Sequence, residues 1–119
     1  MAKKAFFIKR LNDHVQYLKK MDAVIKGESD FQATSHRDCK LGLWLYNEGA
    51  AEVATMANSK AKNVFDSLLE PHERFHVLGY RALEKKQAGD ETEANALITE
   101  LHVLSTTLIN KLLELDRMV

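Results

Sequence analysis

The sequence has few of the residues that interrupt helices and too few cysteines to form an internal disulfide. It contains one proline, Pro71, and five glycines, with few β-branched runs, which predicts an all-α protein. The single cysteine, Cys39, has no partner within the chain. Such cysteine usage is typical of a reducing compartment, so we expect a cytoplasmic protein.

The sequence also lacks an excess of charge of either sign and lacks long apolar runs. Seventeen basic residues balance seventeen acidic residues, so the charge gives no reason to expect nucleic acid or an anionic membrane as a partner. The three strongly apolar residues near the start, Phe6 to Ile8, fall short of the roughly 7–15 that a signal peptide needs, and no later stretch approaches a membrane span. A chain of 119 residues fits one domain.

Apolar residues recur every three or four positions in four segments, as expected for amphipathic helices that share one core. Four such segments with short connections predict an antiparallel four-helix bundle, in which a short second helix carries Cys39. The residues between the second and third segments, Ala50 to Ser59, form either a further short helix or a loosely ordered link. The predicted helices cover Lys3 to Lys26, His36 to Glu48, Lys60 to Ala88, and the residues from a cap at Asp90 to Arg117.

Local signals predict the ends of these helices. Ser35, with Asp38 three residues later, approximates a capping box at the start of the second helix, and Gly49 is placed to end it. We expect a kink or a restart near Pro71 in the third helix and a helix end at Gly89.

Three histidines lie on the predicted apolar stripes, and together with the cysteine they suggest a metal site. His72 and His76 are four residues apart, so they share one helix face and can bind one ion, while His14 lies on the stripe of the first helix. Cys39 is expected in the first turn of its helix, where the helix dipole stabilises the thiolate that zinc requires. Gly42, one turn later, is expected to let another helix approach. A single core histidine usually indicates a satisfied hydrogen bond, but three nitrogens and one sulfur fill a tetrahedral zinc shell.

Two alternatives remain open on the residues alone. The run from His72 to His76 spells H-E-x-x-H, the signature of zinc peptidases, in which Glu73 would be the general base. A peptidase needs an open coordination position, whereas this chain offers Cys39 as a fourth ligand, and Ala82 stands where the extended signature has its third histidine. The other alternative is a metal-free structural bundle whose histidines are core residues.

Three further residues have less specific patterns. His36 lies three residues before Cys39 and is close enough in sequence to reach the same ion, but we expect it to be exposed to solvent near the helix start. His102 is expected in the core or at its boundary, because it lies beside the leucine stripe predicted for the last helix: Leu97, Leu101, Leu104, Leu108, Leu112 and Leu115. Trp44 is expected to anchor core packing rather than to bind a cofactor.

The run Cys39-x-Leu41-Gly42-x-Trp44, with Asp13-His14 before it and Phe65-x-x-Leu68 and His72-x-x-Phe75-His76 after it, resembles the chemoreceptor zinc-binding (CZB) domain family. The resemblance extends from about His14 to Leu83. It implies a cytoplasmic four-helix bundle with a zinc ion held by three histidines and one cysteine. Matched by motif, these ligands are His14, Cys39, His72 and His76.

The resemblance also implies a regulatory role. CZB domains commonly lie at the end of bacterial chemoreceptors or beside diguanylate cyclases, often as dimers. This chain departs from that arrangement in having no attached module, so we expect a stand-alone domain that binds one zinc ion per chain and is not an enzyme. It is expected to respond to zinc or to oxidants such as hypochlorous acid, as a homodimer or docked onto a chemotaxis or cyclic-di-GMP signalling protein.

Overall fold

The computed structural model describes residues 7–119 and contains five helices. They are α1 (Phe7–Ile25), α2 (Lys40–Leu45), α3 (Gly49–Ala54), α4 (Ala61–Gln87) and α5 (Glu91–Arg117). No strand occurs in this part of the chain, so the prediction of an all-α helical bundle is confirmed. The predicted start of the first helix at Lys3 lies outside the described residues.

The bundle is built around the last helix. α5 packs along both α4 and α1, whereas α1 and α4 contact each other much less. Its buried face carries the predicted leucine stripe, broken by one buried serine, Ser105. Burying each leucine stabilises the fold by roughly 1.5–3 kcal/mol. The stripe consists of Leu97, Leu101, Leu108, Leu112 and Leu115, with Leu104 half-buried beside it.

The predicted ends of the two long C-terminal helices are close to those observed. Gly89 follows α4 with φ of 80°, a left-handed conformation that glycine adopts without strain. Asp90 is the N-cap of α5, and its side chain accepts a hydrogen bond from the N–H of Glu93. α4 continues through Pro71 from Ala61 to Gln87, so the expected restart of the helix does not occur.

The second helix differs from its prediction at both ends. It begins at Lys40 rather than at His36, because Ser35 and Asp38 hydrogen-bond to each other in a turn instead of capping a helix. Gly49 does not end this helix but begins α3, the short helix considered for the link. A side chain at Gly49 would collide with the ring of Phe65, so a glycine is needed for α3 to pack against α4.

The connection between α1 and α2, residues 26–39, has no helix and is called the 26–39 segment below. Its contacts reach both neighbouring long helices, since Thr34 hydrogen-bonds to Tyr17 of α1 and to His76 of α4. The segment therefore contacts α1 and α4 at the same residue. Within residues 7–119, no helix is both long enough and apolar enough to cross a membrane.

Candidate metal centre

One cysteine and two histidines meet in the interior between α2 and α4. Cys39, His72 and His76 are buried, and each offers a ligand atom within 4.8 Å of the other two. The Sγ atom of Cys39 lies 3.3 Å from Nε2 of His72. Zinc–sulfur bonds of about 2.3 Å and zinc–nitrogen bonds of about 2.0–2.1 Å would separate two tetrahedral ligands by about 3.6 Å. The spacing between Cys39 and His72 is therefore close to that of two ligands in a zinc shell.

The hydrogen bond of His76 leaves its second ring nitrogen free for a cation. Nδ1 of His76 is 2.9 Å from the carbonyl oxygen of Thr34, which can only accept, so Nδ1 carries the proton and Nε2 carries a lone pair. That Nε2 is buried without a hydrogen-bond partner, and so is Nδ1 of His72. A buried polar atom without a partner costs about 1–3 kcal/mol. A cation bound to His76 Nε2 would remove that penalty, so this donor set fits zinc.

Burial keeps the imidazoles in the neutral form that binds metals. It lowers the pKa of His14 to about 4, and repulsion from His76 acts in the same direction. Burial likewise lowers the pKa of His72 to about 3 and that of His76 to about 4. The hydrogen bond to Thr34 partly opposes the change at His76. All three rings are neutral at pH 7, as zinc coordination requires.

Cys39 is the N-cap of α2, one position before the first turn in which it was predicted. Its sulfur accepts a hydrogen bond from the N–H of Gly42 at 3.2 Å. Burial raises the pKa of the Cys39 thiol, while the N–H groups of Gly42 and Leu41 act in the opposite direction. The predicted stabilisation of the thiolate by the helix start is therefore present, but burial outweighs it. A bound cation is the interaction that would favour the thiolate.

Gly42 serves a different purpose from the one predicted. A Cβ atom at this position would collide with the main-chain carbonyl of His36, so the glycine lets the end of the 26–39 segment fold back onto α2. It does not make room for another helix. This close approach places Cys39 at the helix start and directs its sulfur toward α4.

His14 lies nearby but makes a different contact. It is buried in α1, and its Nε2 is 2.9 Å from the hydroxyl of Ser105 in α5. Its ring packs edge-on against Phe75, with 4.8 Å between ring centroids. The structure therefore brings together Cys39, His72 and His76, while His14 is adjacent. The four-ligand set stays a prediction.

Three residues that contact the candidate ligands were missed by the sequence reasoning. Ser105 had a detectable signal, since it is a polar residue inside a leucine stripe. Tyr17 lies one turn after His14 on the same face of α1, and this spacing alone only weakly indicates a contact with the site. Thr34 contributes its main-chain carbonyl, so no side-chain pattern could have revealed it.

The structure also locates the three residues with less specific patterns, His36, His102 and Trp44. His36 is half-buried rather than exposed, with its ring centroid 6.4 Å from that of His72, and it does not belong to the three-residue group. His102 is exposed rather than in the core, and its Nε2 is 3.1 Å from a carboxylate oxygen of Asp22. Trp44 is buried in the core as predicted, and its indole N–H donates to Glu52 at 2.6 Å.

Glu73, the general base of the peptidase interpretation, is exposed on α4. Its side chain lines a surface cleft together with Glu70, Arg74 and Val77, none of which is a candidate ligand. A general base must lie within hydrogen-bond reach of the water that it activates. The structure therefore gives the peptidase interpretation no support.

Comparison with protein-family models identifies a family for the chain. The model of the chemoreceptor zinc-binding domain matches residues 14–83, which is more than half of the chain. The matched region begins at His14 and contains Cys39, His72 and His76. No curated protein and no solved structure matches the chain.

Proposed function

Because the chain belongs to the chemoreceptor zinc-binding domain family, we propose that this zinc-binding module is a sensory or regulatory unit that holds one zinc ion per chain. The observation that carries the proposal is the buried group of Cys39, His72 and His76, in which Nε2 of His76 has no other partner. Soft thiolate and imidazole ligands in a closed site favour zinc over magnesium or calcium.

We propose His14 as the fourth ligand. Its burial and its electrostatic interaction with His72 and His76 support a position at the edge of the site. Four protein ligands would leave no coordination position for a reacting water, which is the arrangement of structural rather than catalytic zinc. The bound ion would link α1, α2 and α4 and hold Cys39 as a thiolate. We accordingly propose that the module is not an enzyme.

Two signals fit this chemistry, zinc itself and an oxidant such as hypochlorous acid. Binding of zinc would fix α2, a helix of six residues that is too short to be stable alone. An oxidant would instead act on the sulfur of Cys39, because hypochlorous acid converts a thiolate to a sulfenic acid and leaves as chloride, taking two electrons from the sulfur. In either case α2 is the element that changes.

The output of such a module requires a partner. Members of this family usually work in chemoreceptors or other signalling proteins. We propose that this chain acts in the cytoplasm as a homodimer, or docks onto a chemotaxis receptor or a diguanylate cyclase. Sedimentation of the protein with and without zinc tests the dimer. A monomer under both conditions would refute it.

The decisive experiment is metal analysis of the purified protein and of two variants. We expect about one zinc per chain in the wild type and much weaker binding in Cys39→Ser, since a hydroxyl is a poor zinc ligand. His102→Asn is the matched control, because His102 is exposed and does not belong to the group. Equal zinc affinity of wild type and Cys39→Ser would show that the sulfur is not a ligand.

A second experiment separates the two signals. Zinc-loaded protein is treated with hypochlorous acid in stoichiometric amounts, and released zinc is followed with a chromogenic chelator. An oxidant sensor releases zinc together with the loss of the Cys39 thiol. A sensor of zinc alone retains the ion under these conditions.

A further inference from the structure

A tyrosine hydroxyl ties the 26–39 segment to α1. The hydroxyl of Tyr17 accepts a hydrogen bond from the N–H of Thr34 at 3.0 Å and lies 3.3 Å from the carbonyl oxygen of the same residue, to which it donates. That carbonyl also accepts the hydrogen bond from Nδ1 of His76 at 2.9 Å. One carbonyl group therefore joins Tyr17 in α1 to a candidate metal ligand in α4.

The segment has few other tethers in this region. Within the described chain, residues 29–34 make no main-chain hydrogen bond to another main-chain group. Side chains therefore hold these residues in position. Tyr17 contacts two of them, Thr34 through its hydroxyl and Phe31 through its ring. Its ring packs against Phe31 of the segment, with 5.5 Å between ring centroids, and against His76 at 4.8 Å.

Tyr17 also lines the same cleft as the cysteine. A cleft of about 260 Å³ lies between α1 and the 26–39 segment, and Tyr17, Phe31, Thr34 and Cys39 are among its lining residues. Cys39 lines this cleft but is itself buried, with 8% of its surface exposed. Displacement of Thr34 from Tyr17 would widen the cleft toward the sulfur.

We propose that Tyr17 is a positioning residue, which through Thr34 holds His76 with Nδ1 protonated and Nε2 free and which limits the access of solvent to Cys39. A hydrogen-bonded partner on the second ring nitrogen orients a histidine ligand, and losing such partners costs about 10–100-fold in metal affinity. The effect on zinc rests on the proposed function. The effects on the tautomer of His76 and on the access to Cys39 do not.

The test compares Tyr17→Phe with Tyr46→Phe. Both tyrosines are half-buried, and both rings lie beside a histidine of the site. Only the hydroxyl of Tyr17 makes a hydrogen bond in the described structure. The first variant therefore removes the hydrogen bonds to Thr34, and the second removes a hydroxyl that makes no hydrogen bond in the described structure.

The first measurements use protein with chelator present. Nitrogen-15 NMR of the imidazoles is expected to show His76 with Nδ1 protonated in wild type and in Tyr46→Phe, and a mixture of tautomers in Tyr17→Phe. Alkylation of Cys39 is expected to be at least about tenfold faster in Tyr17→Phe than in the wild type, and unchanged in Tyr46→Phe. The reason is that the rate follows the fraction of molecules in which the cleft is open. A single Nδ1-protonated form and an unchanged alkylation rate in Tyr17→Phe would overturn the proposal. So would an Nε2-protonated His76 in the wild type.

Zinc affinity is measured last, by competition with a chromogenic chelator. We expect about a tenfold loss in Tyr17→Phe and no change in Tyr46→Phe. Equal affinity of the two variants contradicts the part of the proposal that concerns the metal. If the wild type binds no zinc, the proposed function fails, while the NMR and alkylation results still decide whether Tyr17 positions His76.

Discussion

Acid should destabilise the chelator-treated protein far more than an ordinary helical bundle, because three buried histidines must remain neutral in the fold. His14, His72 and His76 have pKa values of about 4, 3 and 4 in the folded protein, against an ordinary value of 6.5. The unfolded chain therefore binds more protons than the folded one below pH 6.5. Their contribution to stability is fully present above that pH and is lost as the pH falls toward 4.

The magnitude follows from these values. Each pKa unit corresponds to about 1.4 kcal/mol, so each histidine lowers the free energy of unfolding by about 1.3 kcal/mol between about pH 7.5 and about pH 5.5. The three together amount to about 4 kcal/mol. Domains of this size have total stabilities of about 5–15 kcal/mol, so the loss is a large fraction. Ordinary carboxyl groups contribute little, since most stay ionised above about pH 5.5.

Urea denaturation at several pH values, followed by circular dichroism with chelator present, measures this loss. His72→Gln should reduce the pH dependence by about one third, because one of the three protonation sites is gone. His102→Asn is the control, since that side chain is exposed. A loss below about 1.5 kcal/mol in the wild type over this range would show that the imidazoles are protonated in place and that the burial argument is wrong.

Three other predictions concern the metal, the glycine beside it and the buried tryptophan. Zinc at about 100 times its dissociation constant should raise the free energy of unfolding by about 2.7 kcal/mol and the melting temperature by about 10 °C, as measured by calorimetry, and an unchanged melting temperature would exclude a folded-state site. Gly42→Ala should lower stability by at least about 2 kcal/mol and weaken zinc binding, because the added methyl collides with the His36 carbonyl. Gly27→Ala, where a Cβ meets nothing within 4 Å but φ is +79°, should lower stability through backbone strain and leave zinc binding unchanged. Glu52→Ala should cost about 1–3 kcal/mol in urea denaturation, because the indole N–H of Trp44 loses its acceptor, and a smaller cost in Glu48→Ala provides the comparison.

The sequence predicts the long helices α4 and α5 better than it predicts the short helix α2 and its surroundings. The leucine stripe of α5 and the histidine pair of α4 follow from helical periodicity, which is independent of tertiary contacts. The start of α2 does not, because Ser35 and Asp38 bond to each other in a turn while the sulfur of Cys39 takes the capping position. A hydrogen-bonding cysteine at an N-cap is outside the usual set of Ser, Thr, Asp and Asn.

In the candidate site, the contacts within one helix could be predicted from the sequence, whereas those between distant segments could not. The i, i+4 spacing placed His72 and His76 on one buried face, and the spatial proximity of Cys39 agrees with the prediction. The carbonyl of Thr34 belongs to an irregular segment, and its position depends on contacts made by Tyr17 far away in the sequence. Periodicity carries no information about such contacts.

The boundaries of the family match and of the folded core do not coincide. The match ends at residue 83, yet α5, which packs against both α1 and α4, begins at Glu91. A polypeptide truncated at Leu83 would keep every candidate ligand while leaving the inner faces of both remaining long helices open to water. Recombinant fragments and domain fusions should therefore extend through Arg117, because we expect residues 14–83 without α5 to lack a closed core.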